Sequence, residues 1–435
     1  MAAGYSRSKT VGHGRFELSV RTLPPERGFL VAAGIEPALE YLETFHFVPA
    51  EIEFLKALPN LRNVPATFFE DLLPNLRFTG DVWAVQEGCP IFAEQPFLRV
   101  SGPIVEAQIV ETALLSTILF QTSVASRAAR IVQAAAGRPV FEFGARRAHG
   151  SEAAVLAARA AFIGGCAGTS VVEAGRRFGL PLFGTMAHSW VMSHRTETDA
   201  FVRYMDLYGD RAVLLIDTYD SLKAVRQIAA ARLHPAAVRL DSGDLVTEST
   251  AVRAELDAGG LSETQIFASG DLDEHRIGEI VRARAPIDGF GVGTALSTVS
   301  DAPALGGVYK LVEVKRDGRW VPTLKLGRGK ATYPGAKQVW RISDGEDGPY
   351  DLIGCVDEVP PAYGDSLLEP VMVAGRRTRK ATPLETVRAR GQENLARLSE
   401  GVRRHVGPEV YRVVVSRALC RLKEELTFDR VGTGD

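Results

Sequence analysis

Ala237-Val-Arg-Leu-Asp-Ser-Gly-Asp-Leu-Val246 is a short apolar run, a polar turn containing glycine, and the start of a helical stretch. That is the grammar of a βα unit. It recurs between Pro139 and Leu296 at Val140–Phe143, Pro181–Phe183, Ala212–Ile216, Gln265–Ala268 and Ile287–Phe290, with a weaker candidate at Ile163–Cys166. A repeat of roughly 25 residues suits successive βα units, and six or seven of them predict an α/β fold built on an irregular parallel α/β barrel. An open doubly wound sheet is the alternative. It is disfavoured because no Gly-x-Gly-x-x-Gly follows the first strand.

Outward from this core, residues 1–105 alternate strand-like pieces such as Val82–Gln86 and Phe97–Val100 with loops, which predicts a β-rich module. Ile104–Ala136 has apolar residues at spacings of three and four without Gly or Pro, and predicts one long helix. Strand signals return at Val312–Val314 and Trp320–Leu326 around the turn Arg316-Asp-Gly-Arg319, followed by helical stretches at Pro383–Leu398 and Val414–Leu426. The expected organisation is an N-terminal β-rich module (1–110), a barrel carrying the active site (111–308) and a C-terminal segment (309–435). That last segment packs back on the first, making a discontinuous module. The basic run Arg376, Arg377, Arg379 and Lys380 reads as a solvated turn.

Across 435 residues, 51 Lys+Arg balance 53 Asp+Glu for a formal net charge of −2, so no global field attracts nucleic acid or an anionic membrane. Any anion must be bound by a local site. The four cysteines, Cys89, Cys166, Cys355 and Cys420, are widely spaced and form no Cys-x-x-Cys pair, so no metal-binding cluster is expected. With no apolar leader-like segment and no run approaching a membrane span, the expectation is a cytoplasmic protein.

In parallel βα folds, ligands bind at the carboxyl ends of strands, where this chain carries cations, carboxylates and glycines together. Singly, each has a structural reading: Thr294 as a helix cap, Asp241–Asp244 and Ser269–Asp271 as Asx turns, His188 as a rim histidine, Arg146 and Arg147 as ion-pair partners. Together they suit a phosphorylated sugar. Backbone N–H groups after the last two strands, at Ser269-Gly270 and Gly291-x-Gly293-Thr294, form a phosphate cradle. Arginines add bidentate anion contacts, and Asp217, Asp241 and Asp244 supply acceptors for ribose hydroxyls or hydrated Mg²⁺. Gly327-Arg-Gly-Lys330 is too short for a Walker-type loop.

Phe141-Glu-Phe-Gly-Ala-Arg-Arg-Ala-His-Gly150, Gly184-Thr-Met-Ala-His-Ser-Trp190, Leu215-Ile-Asp-Thr-Tyr-Asp220, Val238-Arg-Leu-Asp-Ser-Gly-Asp-Leu245 and Gly291-Val-Gly-Thr294, in this order, closely resemble nicotinate phosphoribosyltransferase. Gly307–Val312 and Pro334–Arg341 extend the resemblance. It implies transfer of phosphoribosyl from phosphoribosyl pyrophosphate to nicotinate in NAD salvage, with Mg²⁺, coupled to ATP through a phosphohistidine, in a homodimer whose sites lie near the interface. By resemblance His188 is that histidine. Thr185 and Arg239 match nicotinate contacts, more loosely joined by Phe143 and Arg146. Thr294 matches a phosphoribosyl pyrophosphate contact, and the strand-end chemistry adds Asp217, Asp241, Ser269, Gly270, Gly291 and Gly293 to that substrate. The rival expectations are a related enzyme using nicotinamide or quinolinate, and a barrel that binds phosphorylated metabolites without turnover.

Overall fold

The computed structural model describes residues 1–8, 12–326, 332–343 and 348–432. The Gly327–Lys330 stretch therefore lies outside the described residues. The chain divides into two compact units: Met1–Thr122 with Leu305–Pro383 and Arg397–Asp435, and Ser123–Ala304 with Leu384–Ala396.

The first unit is organised by a seven-stranded antiparallel sheet. His13–Val20 lies between Pro96–Pro103 and Gly307–Arg316, and Asp81–Ala84 between Pro96–Pro103 and Glu369–Val373. Two early strands thus pair with two late ones, which is what makes the module discontinuous. In His13–Val20, alternate residues Phe16, Leu18 and Val20 are buried, and Phe16 stacks on Tyr309 of the neighbouring strand at 4.9 Å. The expected turn between Arg316 and Arg319 joins Gly307–Arg316 to Arg319–Pro322, with Asp317 and Gly318 both at positive φ. The basic run is only partly solvated: Arg377 pairs with Glu36 and Glu43, and Arg379 with Glu369.

A four-stranded sheet in the same unit holds Lys337–Ile342 against Tyr350–Cys355. At its centre Asp351 is fully buried and accepts from the Arg341 guanidinium at 2.9 and 2.7 Å, from Gln95 at 2.7 Å and from the Tyr411 hydroxyl at 3.2 Å. Phe92 stacks on Tyr411 at 3.8 Å beside this cluster. Burial and the Asp351 carboxylate both push the Tyr411 phenol up, so it remains a donor. One carboxylate therefore ties three distant chain segments.

The second unit holds a six-stranded parallel sheet in the order Gly168–Thr169, Val140–Glu142, Gly289–Val292, Gln265–Ala268, Ala237–Leu240 and Val213–Leu215. This is a mixed α/β fold with a parallel half-barrel: the two outer strands are not hydrogen-bonded to each other. Phe141, Phe183, Val213, Ala237 and Phe267 pack together, with Phe141 and Phe183 stacked at 3.9 Å.

Several sequence expectations shift. Pro181–Phe183 contributes one parallel bridge, Leu182 to Thr169, rather than a strand. Ile163–Cys166 is no strand, because helix Ser151–Ile163 runs into it and Gly164 packs so closely on a neighbouring helix that a Cβ would meet the Ala125 carbonyl oxygen at 2.4 Å. The strand begins later, at Gly168. Ile104–Ala136 is two helices, Ile104–Ile109 and Glu111–Ala134, and Val414–Leu426 is a strand, Val413–Val415, followed by helix Arg417–Gly432. The units meet in sequence at 122/123 and 304/305 rather than at 110/111 and 308/309, since helix Glu111–Ala134 runs through the first boundary. Leu384–Ala396 belongs to the second unit, where Arg388 donates to the Gly165 carbonyl oxygen at 3.1 Å.

Removing the charge of Asp351 would leave the partly buried Arg341 without its bidentate partner. Asp351→Ala is expected to lower stability by about 3–5 kcal/mol, read from urea denaturation.

Candidate active site

At the carboxyl ends of the parallel strands, nine of the expected residues (Phe143, Arg146, Arg239, Asp241, Ser269, Gly270, Gly291, Gly293 and Thr294) line one cavity of about 260 Å³. Thr185 and Asp217 are hydrogen-bonded to residues of its wall, and His188 Nε2 lies 3.7 Å from Asp241 Oδ2. Arg147 and Asp271 line the same cavity and complete the set.

Arg239 is the hub. Its strand points the side chain to the rim, where Nε donates to Ser269 Oγ at 2.8 Å and the two terminal nitrogens donate to Thr185 Oγ1 at 2.6 Å and Asp241 Oδ1 at 2.7 Å. Three of the five guanidinium N–H groups are thereby directed, and the plane is fixed. The Arg239 guanidinium also lies 5.9 Å from the Phe143 ring centre, so a cation and an aromatic face border one space.

Two glycines let this wall close. Gly291 carries the Phe143 ring so tightly that a Cβ would lie 2.6 Å from it. Gly270 has φ +93°, and a Cβ there would meet the Asp241 carbonyl oxygen at 2.0 Å. Gly293, rather than Thr294, caps the short helix Thr294–Ser297, and Thr294 is its first residue. The loop bearing Phe143 and the two arginines is anchored by Glu142, which is buried, accepts from the Gly144 amide and takes the Thr169 hydroxyl at 2.6 Å. Burial lifts the Glu142 carboxyl above its ordinary range.

Asp241 serves two sides. Desolvation works to raise it, but the Arg239 guanidinium, the Ser269 hydroxyl and His188 outweigh this and hold it below the usual carboxylate range. Its Oδ1 faces Arg239, and its Oδ2 lies 3.7 Å from His188 Nε2. The other ring nitrogen of His188, Nδ1, is 3.1 Å from Thr218 Oγ1. Asp217 Oδ2 accepts from the Asp241 amide at 2.8 Å and the Ser242 hydroxyl at 2.7 Å, while its Oδ1 is buried without a partner.

Arg146 and Arg147 follow Gly144 in a single 3₁₀ turn, are exposed, and have no ion-pair partner among the described residues. They are the uncommitted positive charge of the cavity. Asp244, in contrast, is used as the cap of helix Leu245–Ala258, accepting from the Val246 amide and the Thr247 hydroxyl. Among the described residues, no cluster of three or more His, Cys, Asp or Glu side chains is arranged to hold a metal ion. The acceptors that suit hydrated Mg²⁺ are Asp217, whose buried Oδ1 has no partner, and Asp241 and Asp271, which line the cavity. Each would hold the ion only together with phosphate oxygens.

Family models match the chain in three parts: the nicotinate phosphoribosyltransferase N-terminal domain over residues 1–119, the nicotinate phosphoribosyltransferase family over 139–327, and its C-terminal domain over 357–423. The chain belongs to the nicotinate phosphoribosyltransferase family. A nicotinate phosphoribosyltransferase of Mycobacterium tuberculosis is 46% identical over 391 residues, covering 88% of this chain and 82% of the relative. One of Bacillus subtilis is 38% identical over 436 residues, covering 92% and 87%. The crystal structure of human nicotinic acid phosphoribosyltransferase superposes with a TM-score of 0.87 at 28% identity over 98% of both chains.

Arg147 and Asp271 stand among the strand-end residues read from sequence but without an assigned substrate, and the structure sets both in the cavity lining. Two neighbours of the site were given no role from sequence. Thr218 follows Asp217 directly. Glu142 is disguised within an apolar strand.

Behind His188, the indole N–H of Trp190 donates to the Ala200 carbonyl oxygen at 3.1 Å and joins the His188 helix to helix Glu197–Tyr208. Glu197 begins that helix, 9% exposed, with Oε1 unpartnered. Burial raises its carboxyl to about 7, with Lys223 drawing it down and Asp220 adding to the rise. The unfolded chain ionises this group near 4.5, so its ionisation costs stability progressively as pH rises from about 4.5 to about 7. Glu197→Gln is expected to be more stable than the parent at pH 8 and equal to it near pH 4.5, by urea denaturation at both values.

Proposed function

We propose that this chain transfers phosphoribosyl from Mg²⁺-complexed phosphoribosyl pyrophosphate to nicotinate, giving nicotinate mononucleotide and pyrophosphate for NAD salvage. ATP hydrolysis is coupled to the transfer through phosphorylation of His188. The observation that carries this reading is the Arg239–Phe143 corner opening into a cavity with two uncommitted arginines and a glycine-rich wall. Nicotinate brings an aromatic ring and a carboxylate, and a guanidinium with remaining N–H groups beside an aromatic face complements both. Nicotinamide has no anion for Arg239, and quinolinate's second carboxylate has no second fixed cation beside the ring.

The roles divide accordingly. Arg239, Phe143 and Thr185 orient the pyridine nitrogen, Thr185 by holding the guanidinium. Arg146, beyond Phe143 in the same loop, joins the nicotinate side more loosely, and Arg147 next to it faces the phosphates. Ser269-Gly270, Gly291, Gly293 and Thr294 complete the phosphate cradle. Asp217 and Asp241 accept from ribose hydroxyls or from water on Mg²⁺. Breaking the sugar C1–pyrophosphate bond develops oxocarbenium character, so the protein's work is to hold the leaving pyrophosphate and align the attacking nitrogen. Neutral imidazole of His188 attacks the terminal phosphoryl group of ATP, and ADP leaves.

The same proposal includes the half-barrel acting as an irregular closed barrel, supported by Phe183 joining Phe141 to the Val213 cluster. It also includes a homodimer with sites near its interface and a cytoplasmic setting. None of the described helices is long and apolar enough to cross a membrane.

The test is pyrophosphate release with nicotinate, nicotinamide or quinolinate, each with and without ATP. Nicotinate-specific turnover raised by ATP is expected, and His188→Ala is expected to lose the ATP stimulation while keeping some transfer. Silence with all three bases would leave the binding-protein reading as the better one. Arg239→Ala is expected to raise the nicotinate KM at least tenfold more than that of phosphoribosyl pyrophosphate; equal effects would move Arg239 to the phosphate side.

A further inference from the structure

His188 sits on a helix of only five residues and its side chain is 42% exposed, so packing alone does not orient its ring. Two contacts on opposite ring nitrogens do: Thr218 Oγ1 at 3.1 Å from Nδ1, and Asp241 Oδ2 at 3.7 Å from Nε2. Only the first is short enough to be a hydrogen bond. The two partners stand at the ends of neighbouring parallel strands, whose pairing aligns Leu215 with Arg239. Asp217, the residue before Thr218, clamps those ends together by accepting from the Asp241 amide and the Ser242 hydroxyl. Thr218 is therefore held in register with Asp241.

We propose that Thr218 is the positioning residue for His188, fixing the plane of the imidazole for phosphoryl transfer. This rests on the reading of His188 as the phosphoryl acceptor. A hydroxyl suits the task because it both donates and accepts. It takes the N–H of one imidazole tautomer and gives its own hydrogen to the lone pair of the other, so the ring is held through the proton changes of phosphorylation and hydrolysis. Thr218 does not line the cavity, and its hydroxyl is bonded to His188.

The experiment compares Thr218→Val and Thr218→Ser with the parent and with His188→Ala in the full chain. Two quantities are read: incorporation of label from γ-³²P ATP, and phosphoribosyl transfer with and without ATP. Loss of one hydrogen bond of about 0.5–1.5 kcal/mol corresponds to a roughly two- to tenfold fall. Thr218→Val is expected to slow labelling and reduce ATP stimulation by that factor, with ATP-independent transfer and the nicotinate KM unchanged. Thr218→Ser is expected to restore both. A uniform loss across transfer with and without ATP, or failure of serine to rescue, would make Thr218 merely structural. If His188→Ala is unlabelled while Thr218→Val labels at the parent rate, the positioning role is overturned alone. If His188→Ala is still labelled, the reading of His188 fails and takes the positioning role with it.

Discussion

The guanidinium of Arg239 is the constraint on which the site depends. It is largely shielded from solvent and carries a permanent charge, so it must be surrounded by acceptors that cannot wander. Those acceptors come from three separate loops: Thr185, Ser269, and Asp241 just beyond its own strand. Each charge-assisted hydrogen bond contributes about 1.5–3 kcal/mol, and the three together fix where the loops end. The cavity wall is a consequence of satisfying one arginine.

The same requirement explains the glycines. If Asp241 is to turn its carboxylate toward Arg239, its carbonyl must lie against the next loop, and only a residue without Cβ at position 270 leaves that space. The Phe143 ring borders the guanidinium from a position pressed against Gly291, where a Cβ would collide with it. These glycines are read as phosphate-cradle residues from sequence, and their packing gives an independent reason for them. The two reasons agree, since a backbone without side chains serves both close packing and close approach by an anion.

Much of this was legible in the sequence because parallel βα architecture sends strand-end residues to one rim whatever the details of strand length. Ile287–Phe290 lies two residues ahead of the observed strand Gly289–Val292, yet Gly291 and Thr294 still reach the cavity. The boundaries were harder. Pro181–Phe183 is apolar enough for a strand but makes a single bridge, and Phe183 is used instead to stack on Phe141. Ile163–Cys166 resembles a strand locally, although its burial comes from a helix end pressed onto another helix, a tertiary fact with no local signature. Glu142 was invisible for a related reason: a charged residue inside an apolar strand becomes intelligible only when the Gly144 amide and Thr169 hydroxyl are seen to satisfy it.

Asp241 links the two chemical halves of the site. One oxygen is committed to Arg239 and Ser269, the other faces His188, and the carboxylate is held ionised by the Arg239 guanidinium and the Ser269 hydroxyl. Under the proposed function, a phosphoryl group on His188 would bring added negative charge to the free side of this carboxylate. Like charges at such separations repel, most of all where water is scarce, so the carboxylate is driven toward its Arg239 partner and the guanidinium is drawn with it. Arg239 is the group proposed to hold nicotinate's carboxylate. A change at the histidine therefore reaches the pyridine subsite through one shared side chain, without requiring any rearrangement of the sheet.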